Sequence, residues 1–175
     1  MPRRTAPSLT DLNFINVNYG GRNRCIVIDT SNGYTMPNCT GYVHGRWLEL
    51  GVSPVNLSLA NARYYWSNTG DGYSRGQVPK LGAVACWDGG TDGAGHVAIV
   101  EDIIDAANGI YMISNSAYNS YFWQYQQVTN NVFQSNYTFQ GFIYCPLTFD
   151  EDLTDEEIAI YFGRKKRGKL RLQFY

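Results

Sequence analysis

Residues 95–116 read GHVAIVEDIIDAANGIYMISNS, and this stretch decides the fold. Two runs rich in Val, Ile and Tyr flank IDAANG (104–109), whose Asp, Asn and Gly suit a tight reversal, so a strand over 96–103 is predicted to fold back on one over 110–117. Strand alternation then places His96, Ala98 and Val100 on one face and Val97, Ile99 and Glu101 on the other. The residues across from His96 fall at about 115–119.

Two more strand-like runs frame this hairpin, AVACW (83–87) before it and FQGFIYCPL (139–147) near the end. Upstream, NCTGYVHGRWLEL (38–50) has the marks of a helix from about Thr40 to Leu50. Asn38 or Cys39 caps its start, Gly51 with Ser53-Pro54 beyond it marks its stop, and Val43, Trp47 and Leu50 form its apolar stripe. Gly41 and Gly45 weaken the helix. A second helix is expected in LSLANARYYWSNT (57–69), with Leu57, Ala60, Ala62 and Tyr65 or Trp66 inward. Helices first and an antiparallel sheet after them make an α+β domain. Residues 1–21 are polar and rich in Asn and Gly, an N-terminal arm; 22–148 form the domain; 149–175 are a charged tail. In the tail, Thr154 and Glu157 of TDEE suit a capping box, a short helix follows, and Gly163 stops it before the basic run RKKRGKLR.

The chain has 175 residues, enough for one domain with a real core. Apolar residues make up 44% and charged ones 17%, which separates it from disordered chains. A net charge of −1 argues against a nucleic-acid partner, since phosphate binding needs a concentrated positive face. Two arginines near the start have no apolar stretch behind them, and no run approaches the length that spans a bilayer, so neither an export signal nor membrane insertion is expected. The four cysteines, Cys25, Cys39, Cys86 and Cys145, lack the paired spacing of a zinc site. Two disulfides are possible by number, but Cys86 and Cys145 lie in apolar runs that suit buried thiols.

Cys39 differs from them, because it directly precedes a helix. A thiol attacks as thiolate, and a helix N-terminus and a nearby imidazole both favour that form; a cysteine that merely packs at the cap is the alternative. There are two histidines. His44 lies five residues beyond Cys39, about 140° round the helix axis, which is wrong for proton transfer and right for packing or surface. His96 opens a strand after a glycine loop, where a base would sit beside a helix N-terminus; simple strand-end packing is its alternative. An orienting partner for the second ring nitrogen falls to Asn115 first, with Ser116 and Asn119 nearby, since an amide oxygen accepts an imidazole N–H. Glu101 and Asp102 rank below it, Glu101 because it points to the other face. Asn38, Trp87 and Tyr118 are candidate substrate contacts, with Tyr121 and Trp123 as further aromatic candidates for the cleft.

NCTGYVHGRW, GDGYSRGQVPKLGAVACWDGG, GHVAIVEDI, IYMISNSAYN and FQGFIY, in this order and spacing, resemble the CHAP domain, the cysteine, histidine-dependent amidohydrolase/peptidase. The resemblance covers about residues 22–148. It implies a papain-like fold with helices packed on an antiparallel sheet, Cys39 as nucleophile, His96 as base, and cleavage of an amide bond in bacterial peptidoglycan. Many members carry a Glu where this chain has Asn115. Some bind calcium through acids ahead of the cysteine, where this chain offers only Asp29; no metal or other cofactor is therefore expected.

The resemblance extends to bacteriophage lytic enzymes, endolysins or virion-associated wall hydrolases. That implies action in the host cytoplasm before lysis and then at the wall, or on the virion, with the basic tail holding wall polymers or virion proteins. Three rivals remain: a related wall hydrolase of the NlpC type; a non-catalytic virion structural or wall-binding protein with this fold; and a redox protein using Cys86 and Cys145.

Overall fold

The computed structural model describes residues 2–8, 11–14, 18–19, 22–23, 37–116 and 123–149. Tyr118, Asn119, Tyr121, Cys25, Asp29 and the tail from residue 150 lie outside the described residues, so the expectations attached to them are left where they stood.

A pair of short strands, β1 (Asn18–Tyr19) and β2 (Arg22–Asn23), precedes the helix α1 (Cys39–Leu50). A sheet follows: β3 (Arg75–Gly76), β4 (Val84–Gly89), β5 (His96–Asp105), β6 (Ile110–Ser116), β7 (Trp123–Val128) and β8 (Tyr137–Ile143). Its six strands run antiparallel in the order β3-β8-β4-β5-β6-β7. The β5–β6 hairpin forms where the alternating runs and the Asn108-Gly109 turn placed it. Ile99 pairs with Ser114 and Val100 with Ile113, a register that carries Asn115 to a position diagonal to His96. β7, WQYQQV, was not expected; its Gln residues mask the alternation by which an edge strand is recognised.

Both faces of the sheet are covered. Val84, Cys86, Val97 and Ile99 face α1, against Tyr42, Val43 and Trp47. Ala85, Trp87, Ala98, Val100, Tyr111 and Ile113 form the second core on the opposite face. The expected alternation of β5 is therefore the one observed.

α1 begins at its cap. The Asn38 Oδ1 accepts from the Gly41 N–H at 2.8 Å and from the Thr40 hydroxyl at 2.9 Å. It ends where Gly51, at φ 103°, turns left-handed and the Val52 N–H returns to the Trp47 carbonyl. Gly45, a poor helix former, is there for contact: a Cβ would stand 2.5 Å from the ring of Phe14, which is buried against Tyr42. The described part of the N-terminal arm thus lies along the helix, and Arg3 pairs with Glu49 and Asp11. His44, on the same helix, is fully buried beside the Ser58 carbonyl.

Among the described residues only one α-helix packs on the sheet, which corrects the expectation of several. Residues 57–69 form no α-helix and contain only a 3-10 turn at Ala62–Tyr64, with another at Thr69–Asp71. The cause is Arg75, whose guanidinium draws in the carbonyls of Tyr65, Trp66 and Asn68 at 2.7–3.2 Å while it pairs with Asp71. A helix would need those carbonyls for its own ladder. Ser58 and Asn68 side chains also take nearby backbone N–H groups, which competes further with helix. Leu57, Ala62 and Tyr65 are buried as expected, but from irregular chain.

One buried ion pair joins helix to sheet. The Arg46 Nε and Nη2 donate to Glu101 Oε1 and Oε2 at 2.8 and 2.9 Å. Burial opposes the guanidinium charge, and the bonds to Glu101 outweigh that. Ser114 donates to Glu101 Oε1 at 2.6 Å, Tyr42 donates to Ser114 at 2.8 Å, and Trp123 Nε1 donates to Tyr42 at 2.9 Å. The chain of bonds crosses from β5 through β6 and α1 to β7. Arg46→Ala is expected to lower the unfolding free energy by about 3–5 kcal/mol, because it strands the Glu101 carboxylate in the interior. Paired replacement, Arg46→Met with Glu101→Leu, recovers most of that loss in a denaturant titration; a loss under about 1 kcal/mol for Arg46→Ala would contradict a clasp.

Candidate active site

Cys39 is the first residue of α1 and is partly open to solvent. Asn38 takes the Gly41 N–H with its side chain and the Tyr42 N–H with its carbonyl. The backbone N–H groups of Cys39 and Thr40 are directed to the Cys39 sulfur, and so is that of Val97 in β5. The sulfur therefore sits at the mouth of β5, beside the residue that follows His96. Burial raises the thiol pKa to about 11, the three N–H bonds pull it down in part, and Asp92 adds to the rise.

His96 is 5% exposed and pairs across β4–β5 with Trp87. Asn115 hydrogen-bonds the imidazole, and the Asn115 amide nitrogen faces the Gln124 carbonyl at 3.5 Å, which leaves its oxygen for the ring N–H. The Nε2 atom of His96 is buried without a partner among the described residues. Desolvation lowers the imidazole pKa to about 4, against which the Asn115 bond works. At neutral pH both members of the pair are uncharged at rest.

Of the three residues picked out for catalysis, Asn115 thus bonds the His96 imidazole, and the Cys39 sulfur lies against Val97, the chain neighbour of His96. β6 explains how: its alternation turns Asn115 to the His96 face and Ser114 and Ser116 to the helix face. There the Ser116 hydroxyl donates to the Pro37 carbonyl, tying the segment just ahead of Cys39 to the residue after Asn115. Glu101, on the helix face, is held by Arg46 rather than by His96.

The substrate contacts fare differently. Asn38 caps α1 with its side-chain oxygen. Trp87 has no exposed surface, and its Nε1 donates to the Asn131 carbonyl at 2.8 Å. It is core, which corrects its placement in the cleft: alternation gave its face correctly but not that Phe133, Phe139 and His96 cover that face. Two residues the sequence did not point to surround His96. Phe133 stacks on His96 with centroids 4.4 Å apart and planes 6° apart, and Tyr137 meets it edge-on at 6.1 Å. The Tyr137 hydroxyl pKa is raised by burial, then by Cys39 and Asp92, which places it near the sulfur. Both lie far along the chain in Asn-rich turn text that carried no signal. Among the described residues no group of three or more His, Cys, Asp or Glu is arranged to hold a metal ion, and no helix is long and apolar enough to cross a membrane.

Because the folded pKa of His96 lies below its unfolded value of 6.5, the unfolded state binds the extra proton first as pH falls. The stability it contributes is complete above about pH 6.5 and is lost on the way down to about pH 4. The loss is on the order of 3 kcal/mol. Denaturant titrations across that window are expected to show the decline in the wild type and a shallower one in His96→Asn; equal slopes would contradict a desolvated His96.

No curated protein matches the chain. A model of the CHAP domain family matches residues 29–119, a stretch that takes in Cys39, His96 and Asn115. With a cysteine at a helix start, a histidine at a strand mouth and an amide bonded to that histidine all inside the matched stretch, the chain belongs to the CHAP domain family, whose members are typically cysteine, histidine-dependent amidohydrolases or peptidases acting on peptidoglycan.

Proposed function

We propose that the chain is a cysteine-dependent peptidoglycan hydrolase of a bacteriophage, cutting either the N-acetylmuramoyl-L-alanine amide or a peptide bond of the stem or cross-bridge. The observation that carries this reading is the seat of the Cys39 sulfur, at a helix start and against the β5 backbone beside a histidine bonded to Asn115.

In this mechanism the Cys39 thiol passes its proton to His96 as sulfur attacks the amide carbonyl. The carbonyl oxygen takes up the negative charge and is met by the Cys39 backbone N–H and one further donor. Asn38 is the candidate for that donor through its amide N–H groups, since its oxygen caps the helix. His96 then protonates the leaving amine, the C–N bond breaks, and a thioester remains on Cys39. Water, deprotonated by His96, attacks the thioester and releases the acyl group with the thiol restored. Asn115 fixes the imidazole plane and accepts its N–H. As a neutral amide it lends the transient imidazolium less support than a carboxylate would.

Starting from a neutral pair suits a thiol that is activated only as substrate arrives, because the proton moves together with attack. Trp87, fully buried, is not assigned a substrate contact. Tyr118 keeps its proposed place at the cleft, Tyr137 joins it, and the basic tail is assigned to wall polymers or a virion protein. On this reading the protein works from the host cytoplasm at lysis or from the virion.

Digestion of purified Gram-positive walls followed by mass spectrometry tests the proposal. New amino termini or freed stem peptides are expected with the wild type. Cys39→Ala is expected to remove at least about a thousandfold of the rate with the fold intact, and Asn115→Ala about a hundredfold or less. Absence of products from several wall types, or equal activity of Cys39→Ala, would overturn the hydrolase and favour a non-catalytic virion or wall-binding role.

A further inference from the structure

The loop between β7 and β8 is built to deliver one side chain. Thr129 bridges to Val132, and Asn130 and Asn131 between them have φ of 54° and 59°. Two successive left-handed residues make the hairpin turn that matches strand twist, and asparagine tolerates that conformation better than most side chains. The turn is anchored at two points: the Asn131 carbonyl accepts from Trp87 Nε1 at 2.8 Å, and the Asn131 N–H donates to the Gly109 carbonyl at 3.1 Å. Gly109 leaves the room, since a Cβ there would lie 2.6 Å from the Asn131 side chain. Two residues on from Asn131 comes Phe133. A second reversal, with the Tyr137 N–H donating to the Gln134 carbonyl, starts β8.

Phe133 is half-buried, and what it covers is His96. Its ring lies flat on the imidazole, while Trp87 and Tyr137 meet Phe133 at 5.3 Å each. We propose that Phe133 is a positioning residue of the active site: its flat stack holds the imidazole plane in which Asn115 engages one nitrogen, and it shuts water off that face of the ring. The proposal rests on reading His96 as the base, but its first readout does not need activity.

A stack of this kind acts in two ways. It resists rotation of the ring out of that plane, which would break the bond to Asn115. It also makes the charged form expensive by keeping it dry. Of the titratable and charged groups on the neighbouring elements, Tyr137 on β8 meets the ring edge-on, Cys39 on α1 has its sulfur at the Val97 N–H, Asp92 in the glycine loop acts on both of these, and Asp88 on β4, next to Trp87, is paired with Arg63 at 3.6 Å. From β6 the facing group is the neutral Asn115, the side chain that bonds the imidazole.

The test is an NMR titration of the histidine side chains in the full chain, with His96→Asn used for assignment, together with wall-digestion kinetics. For the wild type a His96 midpoint near 4 is expected. Phe133→Ala is expected to raise it by about a unit or more towards 6.5, and to lower kcat several-fold with KM little changed. Phe133→Tyr keeps the flat face and is expected to retain both values. Phe133→Leu keeps an apolar cover without the flat face, so it is expected to hold the low midpoint but lose kcat, and it carries the test if Phe133→Ala does not fold. An unchanged midpoint and kcat in folded Phe133→Ala, or wild-type kcat in Phe133→Leu, would overturn the role. Failure of the wild type to digest walls, with the midpoint still moving, would count against the hydrolase and not against the stack.

Discussion

The Arg46–Glu101 pair is the constraint on which the rest depends. It fixes the axial position of α1 against β5 at one point, and the contact of the Cys39 sulfur with the Val97 backbone fixes it at another. Seven residues of helix rise about 10 Å and four of strand about 13 Å, so two parallel elements tied at both points cannot slide by a residue without breaking one tie. The Cys39 sulfur therefore stays beside Val97, next in the chain to His96. The same carboxylate accepts from Ser114, whose neighbour Asn115 bonds the His96 imidazole. A buried ion pair replaced by apolar groups often leaves stability unharmed; here its distinctive contribution is alignment.

The site that results is uncharged at rest, with His96 held away from water. Phe133, Trp87 and Tyr137 surround His96, and the surrounding protein holds the Cys39 thiol up and the His96 imidazole down. Three backbone N–H groups pointing at the sulfur favour negative charge there without fully offsetting the desolvation. For the proposed hydrolysis, a neutral pair suits a concerted step in which the proton moves as charge appears on the substrate's carbonyl oxygen. Asn115 fits this scheme. A neutral orienting partner fixes geometry and favours the charged imidazole too little to offset its desolvation.

Much of this was legible in the sequence because it is local. The β5–β6 hairpin was written in period-two alternation around Asn108-Gly109, and that alternation set His96 and Asn115 on one face and Glu101 on the other. The helix start was legible to within a residue, at about Thr40 with Asn38 or Cys39 as its cap, and the structure begins it at Cys39; its end was legible from Gly51. What failed was non-local. The apolar spacing of 57–69 suggested a helix, but Arg75, outside that window, takes its carbonyls. Trp87 has an aromatic's usual ambiguity, resolved only by Phe133 and Phe139 covering it. Phe133 stacks on a residue 37 positions earlier, and no local pattern marks such a contact.

The measurement that bears most directly on this account is the pH dependence of Cys39 alkylation by iodoacetamide, read by peptide mass spectrometry on the wild-type chain. A neutral pair predicts a rate that is slow near neutrality and climbs about tenfold per pH unit, levelling only near the thiol's raised pKa of about 11. A rate already at its plateau from about pH 5, the signature of a standing thiolate–imidazolium pair, would contradict it.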